Sequence, residues 1–376
     1  MKKIQMVDLK GQYEAIKETV NNSIQEVLDT NTYINGPQVQ QFQKNLEEYL
    51  DVKHVIPCAN GTDALQIAMM GLDLNPGDEV ITADFTFAAT VEVIALLQLT
   101  PVLVDVDLVN MNISIEAIKK AITPKTKAIV PVHLFGRAAN MEAIMRIAKE
   151  FNLYVIEDNA QAIGANCKFS DGAKLKAGTI GHVGSTSFFP SKNLGCYGDG
   201  GAIFTNDDAL AHKIRGIVNH GMYVRYHHDV VGVNSRLDSI QAAVLNAKLP
   251  LLDQYNTARQ NAARKYSAAF EGHKNIVAPS ICDICDCHVF HQYTLRIIDG
   301  DRDGLMQHLL DNGIPCAIYY PIPLHSQKAY LDARYKEENF PVTNLLAKQV
   351  ISLPMHTELD DEQIKFITDS VLEYLK

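Results

Sequence analysis

An excess of positive charge is missing. Lysine and arginine number 34 against 44 aspartates and glutamates in 376 residues, a formal charge of −10. Holding a nucleic-acid backbone needs a basic surface, so that class is excluded as the main partner, whereas one small anion, met by a few local donors, is not. Long hydrophobic runs are missing too. The most apolar stretch, 91–106, is interrupted by Glu92, Gln98, Pro101 and Asp105, which leaves it too short and too polar to cross a bilayer. Two lysines open the chain but no apolar h-region follows, so the expectation is a cytoplasmic protein without a signal peptide or membrane partner. The seven cysteines, at 58, 167, 196, 282, 285, 287 and 316, are odd in number and read as reduced thiols rather than a disulfide framework. Internal repeats, coiled-coil heptads and low-complexity tracts are also lacking.

With 47% hydrophobic residues the chain has the material for sizeable cores. Ile16, Val20, Ile24 and Val27 recur at helical spacing within residues 1–35; Gly36-Pro37 stops that helix, and Val39, Phe42, Leu46 and Leu50 start another. Short, nearly unbroken apolar runs then alternate with helical stretches. The strands expected are His54–Ala59, Glu79–Ala83, Thr100–Val106, Ala128–His133, Tyr154–Glu157, Val183–Phe189 and Gly201–Thr205, the pattern of a mainly parallel sheet buried on both faces. The helices expected between them include Asp63–Gly71, Thr90–Leu97, Ile115–Ala121 and Met141–Glu150, which makes a three-layer α/β/α domain. A long helical run from Ser239 to about Phe270 is interrupted at Pro250, where the boundary is placed: a large domain over 1–249 and a smaller α+β domain over 250–376. The latter is expected to hold strands near Val289–Ile297 and Pro315–Tyr319 and helices at Arg302–Asn312, Leu345–Val350 and Asp360–Leu375.

Four short segments carry the chemistry. Asn60-Gly61-Thr62-Asp63 lies where a strand gives way to a helix; its glycine, hydroxyl and free N–H groups make a phosphate site, and equally an ordinary N-cap. In Glu157-Asp158-Asn159-Ala160-Gln161, Asp158 stands at the carboxyl end of a buried strand, where open α/β sheets bind ligands. It is placed either to pair with a cationic ring nitrogen or to cap the next helix. In Ser187-Phe188-Phe189-Pro190-Ser191-Lys192, the aromatic and proline neighbours point to a partly buried lysine, whose neutral amine is the nucleophile that a Schiff base needs. Asn234-Ser235-Arg236-Leu237-Asp238 presents a guanidinium suited to a carboxylate or phosphate, or a helix-start cap with an Arg–Asp pair. A phosphate turn, a strand-end aspartate and an aromatic-flanked lysine, in this order, are the parts that pyridoxal 5′-phosphate requires.

Those four segments resemble the DegT/DnrJ/StrS family of nucleotide-sugar aminotransferases, and the resemblance runs from Asp8-Leu9-Lys10 to Ser352-Leu353-Pro354-Met355-His356. It implies a fold-type I pyridoxal phosphate enzyme and a homodimer with shared sites. Lys192 is then the Schiff-base lysine, Asp158 and Gln161 contact the ring nitrogen and the ring oxygen, and Gly61, Thr62 and Ser187 hold the phosphate. Asn234 reaches the phosphate from the other subunit, and Phe87 is the aromatic that stacks on the ring; a buried strand-end phenylalanine is its plainer reading. Tyr226-His227-His228, the run Lys192 to Gly201 and Tyr320-Pro321-Ile322-Pro323-Leu324 resemble the branch that aminates C3 of a UDP-linked 3-oxo-glucuronate in O-antigen pathways. The resemblance implies L-glutamate as donor, with Arg236 and Tyr320 as substrate contacts; Tyr319 stands where that branch has histidine. The alternatives are the same chemistry at C4 of a UDP- or dTDP-linked 4-keto-6-deoxy sugar, and a non-catalytic regulator on the same fold.

Other signals carry less. Cys282, Cys285 and Cys287 with His288 and His291 are compressed into ten residues, unlike the two separated ligand pairs of a zinc site, so no metal is expected. Gly178, Gly181 and Gly184 are spaced three and three, which is not a dinucleotide loop. His227 and His228 are expected to shape a loop.

Overall fold

The computed structural model describes residues 2–281 and 287–376. Helix α1 (Leu9–Thr30) is capped by the Asp8 carboxylate, which accepts the Gly11 N–H, and ends at Asn31 in the left-handed region. Helix α2 (Pro37–Leu50) begins at a proline, whose missing N–H costs nothing at that position, and buries Val39, Phe42, Leu46 and Leu50. Nine strands follow with their helices, seven of them in the main sheet: β1 (His54–Cys58), α3 (Gly61–Gly71), β2 (Glu79–Ala83), α4 (Ala89–Leu96), β3 (Thr100–Val104), α5 (Ile115–Ala121), β4 (Thr126–Val130), α6 (Met141–Phe151), β5 (Tyr154–Asp158), a separate hairpin β6 (Asn166–Lys168) and β7 (Lys174–Lys176), β8 (Val183–Ser187) and β9 (Gly201–Thr205).

The main sheet has the order β1-β9-β8-β5-β4-β2-β3. Strands β3, β2, β4, β5 and β8 run parallel. Strand β9 opposes both β8 and β1, so β1 points the same way as the parallel set. Consequently the segments after β1, β2, β5 and β8 all emerge at one edge of the sheet, which brings Asn60, Asp84, Asp158 and Ser187 to a common rim.

Side chains alternate between the two helical layers as a pleated strand requires. On β2, Ile81 and Ala83 pack with Ile118, Ile144 and Ile147, whereas Val80 packs with Ile67, Val93 and Ile214 on the other face. Each such aliphatic side chain contributes roughly 1.5–3 kcal/mol by leaving water. The layered α/β/α expectation therefore holds.

After helix α7 (Asp208–Ile217) a small hairpin, β10 (Met222–Val224) with β11 (His227–His228), closes through the His228 ring on the His220 carbonyl at 2.8 Å. Helix α8 (Ser239–Lys248) and helix α9 (Leu252–Phe270) are separated by a 3₁₀ turn holding Pro250. Strands β12 (Ile276–Val277), β13 (Tyr293–Ile297) and β14 (Val350–Leu353) form an antiparallel sheet, and α10 (Arg302–Asp311), α11 (Pro341–Gln349) and α12 (Asp361–Tyr374) complete the chain. Tyr266 and Phe270 of α9 pack there with Tyr293, Leu295, Ile351, Leu353, Leu305, Ile367 and Val371.

Three expectations change. Pro315–Tyr319 is not a strand and makes only an isolated bridge, Ala317 to Ser352. Val350 opens a strand rather than closing a helix. Cys58, Cys196 and Cys316 are free thiols as expected, but Cys287 is disulfide-bonded; Cys282 and Cys285 lie outside the described residues. Among the described residues no helix is long and apolar enough to cross a membrane, and no cluster of three or more histidine, cysteine or carboxylate side chains is arranged to hold a metal.

Candidate active site

The rim begins at α3. The Asn60 side chain accepts the Asp63 N–H at 2.8 Å and the Asn60 carbonyl accepts that of Ala64 at 3.1 Å. This leaves the N–H groups of Gly61 and Thr62 without a protein acceptor among the described residues, at the positive end of a helix dipole. A Cβ on Gly61 would lie 2.7 Å from the Ser187 Cβ, so only glycine lets the helix start close on the end of β8. Ser187 is half-buried and its Oγ accepts the Phe189 N–H at 3.2 Å. Thr62, also half-buried, adds a second hydroxyl beside it.

Asp158, last residue of β5, is buried. Its Oδ2 accepts the Thr90 hydroxyl at 2.7 Å and its Oδ1 the Ala160 N–H at 3.2 Å. Beneath it, Glu157 takes the N–H groups of Gly178, Ile180 and Gly181 and faces His133 Nε2 at 2.9 Å. Since His133 Nδ1 accepts the Ala139 N–H, Nε2 is the protonated nitrogen and donates to Glu157. The strand end that carries Asp158 is thus anchored by a carboxylate with every oxygen occupied. Gln161 is held from both ends: its Oε1 accepts the Phe135 N–H at 2.6 Å, and its Nε2 donates to the Tyr320 hydroxyl at 3.1 Å.

Lys192 follows the turn Phe189-Pro190-Ser191, its N–H bonded to the Phe189 carbonyl at 2.8 Å. Burial lowers its amine to about 8, against the opposing charge of Asp158, which favours the ammonium. Phe87 is exposed, contrary to the plainer reading of a buried phenylalanine, and its ring lies 6.2 Å from that of Tyr320. Tyr320 also meets Phe85 edge-on at 6.2 Å, and burial, reinforced by Asp158, raises its hydroxyl.

Gly61, Thr62, Ser187, Phe87, Asp158, Gln161, Lys192 and Tyr320 therefore gather at one rim. Asn234 and Arg236 belong to a segment that adjoins the Asn60 turn. They flank Ser235, whose hydroxyl accepts the Ala59 N–H at 3.1 Å. Asn234 is exposed, and half-buried Arg236 has Nη1 at 3.5 Å from Asn219 Oδ1. Neither bonds to Lys192, Asp158, Gln161 or Tyr320 within the chain.

Three residues at this rim escape the sequence reading. Thr90 sits in an apolar helix with nothing local to reveal its target. Asp84, the residue after β2, accepts the His325 N–H at 2.7 Å and faces His325 Nδ1 at 2.6 Å. That pair ties down the 319–326 strap that carries Tyr320, and His325 stacks on Phe340 at 4.4 Å. The strand-end position of Asp84, the same signal that marks Asp158, was available to find it.

The donor set fits a phosphorylated pyridine aldehyde: free helix N–H groups and hydroxyls for a phosphate, a buried carboxylate for a ring nitrogen, and a lysine driven toward its neutral form. The model of the DegT/DnrJ/EryC1/StrS aminotransferase family matches residues 14–372. A UDP-2-acetamido-2-deoxy-3-oxo-D-glucuronate aminotransferase of Pseudomonas aeruginosa is 46% identical over 364 residues, 97% of this chain and 98% of the relative. A protein of Geobacillus stearothermophilus described as a pleiotropic regulatory protein is 44% identical, covering 99% of each chain. A UDP-N-acetyl-3-dehydro-α-D-glucosamine 3-aminotransferase of Acidithiobacillus ferrooxidans is 44% identical over 96% of this chain and 95% of the relative. Among solved structures, NtdA from Bacillus subtilis with bound PMP cofactor is 31% identical and superimposes with a TM-score of 0.88, covering 96% of this chain and 82% of the other.

Proposed function

The chain belongs to the DegT/DnrJ/EryC1/StrS aminotransferase family, and we propose that it transfers the amino group of L-glutamate to the C3 keto group of UDP-2-acetamido-2-deoxy-3-oxo-D-glucuronate. The cofactor is pyridoxal 5′-phosphate, the working form a cytoplasmic homodimer with shared sites, and the product an amino sugar for O-antigen or another cell-surface polysaccharide. One observation carries the reading: a half-buried lysine, whose amine desolvation lowers to about 8, shares the rim with a buried strand-end carboxylate whose charge acts on it.

When bound, the cofactor supplies an aldehyde carbon for amines and an electron-withdrawing ring that takes up the electron pair left as a Cα–H bond breaks. The residues do the rest. Gly61 and Thr62 N–H groups and the Thr62 and Ser187 hydroxyls hold the phosphate. Asp158 keeps the ring nitrogen protonated by a charge-assisted bond. Gln161 orients the ring oxygen, and Phe87 covers the ring face. Lys192 would hold the cofactor's aldehyde carbon through its Nζ and, with that amine free, would take the proton from the donor's Cα. Arg236, from the other subunit, pairs with the sugar carboxylate as a planar fork suited to it, and Tyr320 contacts the sugar.

The P. aeruginosa relative acts on an acid sugar and the A. ferrooxidans relative on a neutral one, and both names place the nitrogen at C3. Arg236 favours the acid. The name of the G. stearothermophilus relative supports a second reading, a regulator, which has no use for a lysine poised as a nucleophile.

The test is a half-reaction on purified protein with UDP-2-acetamido-3-amino-2,3-dideoxy-D-glucuronate, following the yellow cofactor band. Bleaching establishes transamination and the C3 acid sugar together. A band that bleaches with glutamate but not with this sugar moves the substrate to a 4-keto-6-deoxy sugar, and a colourless protein that takes up no cofactor favours the regulator.

A further inference from the structure

We propose that Thr90 is a positioning residue that sets the carboxylate of Asp158 against the cofactor's ring nitrogen, an assignment that rests on the pyridoxal phosphate reading above. Thr90 is the second residue of α4 and is 1% exposed. A helical threonine usually spends its hydroxyl on the carbonyl three or four residues back. Here the hydroxyl instead donates to Asp158 Oδ2, 2.7 Å away and 68 positions along the chain. With Ala160 N–H on Oδ1, each carboxylate oxygen has one donor, which fixes the plane of the group and leaves lone pairs for a ring N–H.

The placement couples two contacts. Thr90 lies three residues after Phe87, so one short turn at the start of α4 presents an exposed ring to the cofactor's face and a hydroxyl to the partner of its nitrogen. The titratable groups around them come from separate elements. Lys192 follows β8, and Tyr320 belongs to the strap, with its hydroxyl raised by burial and by Asp158. His291 precedes β13 and is kept neutral by burial and by the nearby Lys192 and Arg259. The His133–Glu157 pair beneath the strand end is closed on itself. Replacing the Thr90 hydroxyl by a methyl leaves all of these in place and alters only Asp158.

The direction follows. A carboxylate deprived of a donor is freer to rotate away from the ring N–H, so it holds that proton less well and leaves the ring less positive. A less positive ring lets the Lys192 linkage keep its own proton to higher pH.

The experiment compares wild type, Thr90→Val and Thr90→Ser. Apo-protein is titrated with pyridoxal 5′-phosphate by tyrosine fluorescence, and the pH midpoint of the bound cofactor's visible band is measured. A hydrogen bond to a charged group, when lost, weakens binding by roughly tenfold or more, so Thr90→Val is expected to bind about tenfold more weakly. Its midpoint should move up by about half a pH unit, the smaller part of a one-unit electrostatic change. Thr90→Ser, which restores the donor, should return both quantities to near wild type; a purely steric role for the threonine would not. If Thr90→Val does not fold, Thr90→Cys keeps a weak donor in similar volume and must bind more weakly than Thr90→Ser. Unchanged affinity and midpoint in Thr90→Val, or in its cysteine substitute, overturns the assignment. Wild-type protein that takes up no cofactor overturns the parent reading instead, before any variant is compared.

Discussion

Lys192 owes its chemistry to its surroundings. An exposed lysine is protonated until pH nears 10; here burial favours the neutral amine and lowers the group to about 8, even though Asp158 pulls the other way. The sign is therefore set: raising the pH toward 8 converts the ammonium into the nucleophile, and raising it further adds little. The rate at which apo-protein captures pyridoxal phosphate, followed by stopped-flow absorbance, should climb about tenfold per pH unit well below 8 and level off above it, whereas an ordinary lysine would carry the climb past pH 10. Lys192→Arg, which cannot shed its proton in this range, should lose turnover by roughly a thousandfold or more, with thermal stability little changed. Lys192 and Asp158 were legible from their neighbours: aromatic and proline flanks marked one, an apolar strand the other. Thr90 was not, because the direction of a threonine hydroxyl in an apolar helix is decided by a strand 68 residues away.

Period and punctuation made most elements readable. The unbroken apolar runs are strands, and Gly36-Pro37 and Pro250 mark helix breaks. What the pattern could not reveal was pairing. Strand β9 looks like its neighbours in composition yet runs against them, and β14 was hidden inside a helical pattern that stops at Gln349. The three-and-three glycines likewise have a packing reason: a Cβ on Gly184 would meet the Gly178 carbonyl at 1.9 Å, so both glycines serve the loop that wraps Glu157. The join between α3 and β8 yields a prediction at this scale. Gly61→Ala places a methyl 2.7 Å from the Ser187 Cβ, and overpacking of this kind costs about 1–3 kcal/mol. Because the displaced atoms are those expected to hold the phosphate, calorimetry should show a lower Tm and, more tellingly, a smaller stabilisation by added pyridoxal phosphate than in wild type. A lower Tm with the same ligand-induced gain would separate the helix start from the phosphate site.

The whole molecule leaves its site open. Phe87 and Phe189 beside it are 57% and 53% exposed, and Val224, Tyr226 and Val231 in and after the β10–β11 hairpin are 62%, 75% and 85% exposed. Asn234 and Arg236, assigned to the phosphate and the substrate respectively, make no bond to Lys192 or Asp158 in their own chain. Both features are accounted for if a second copy covers these side chains and supplies the two residues to the opposite site, since a two-fold interface gives each site what it takes from the other. Mixing is then decisive. Lys192→Ala and Arg236→Ala should each be inactive alone. Unfolded together and refolded, half of the dimers are hybrids; in each, one site carries both defects and the other neither, so activity should return to about a quarter of wild type. If Lys192 and Arg236 serve the same chain's site, every hybrid site is defective and no activity returns, which would dispose of the shared site while leaving the chemistry of Lys192 untouched.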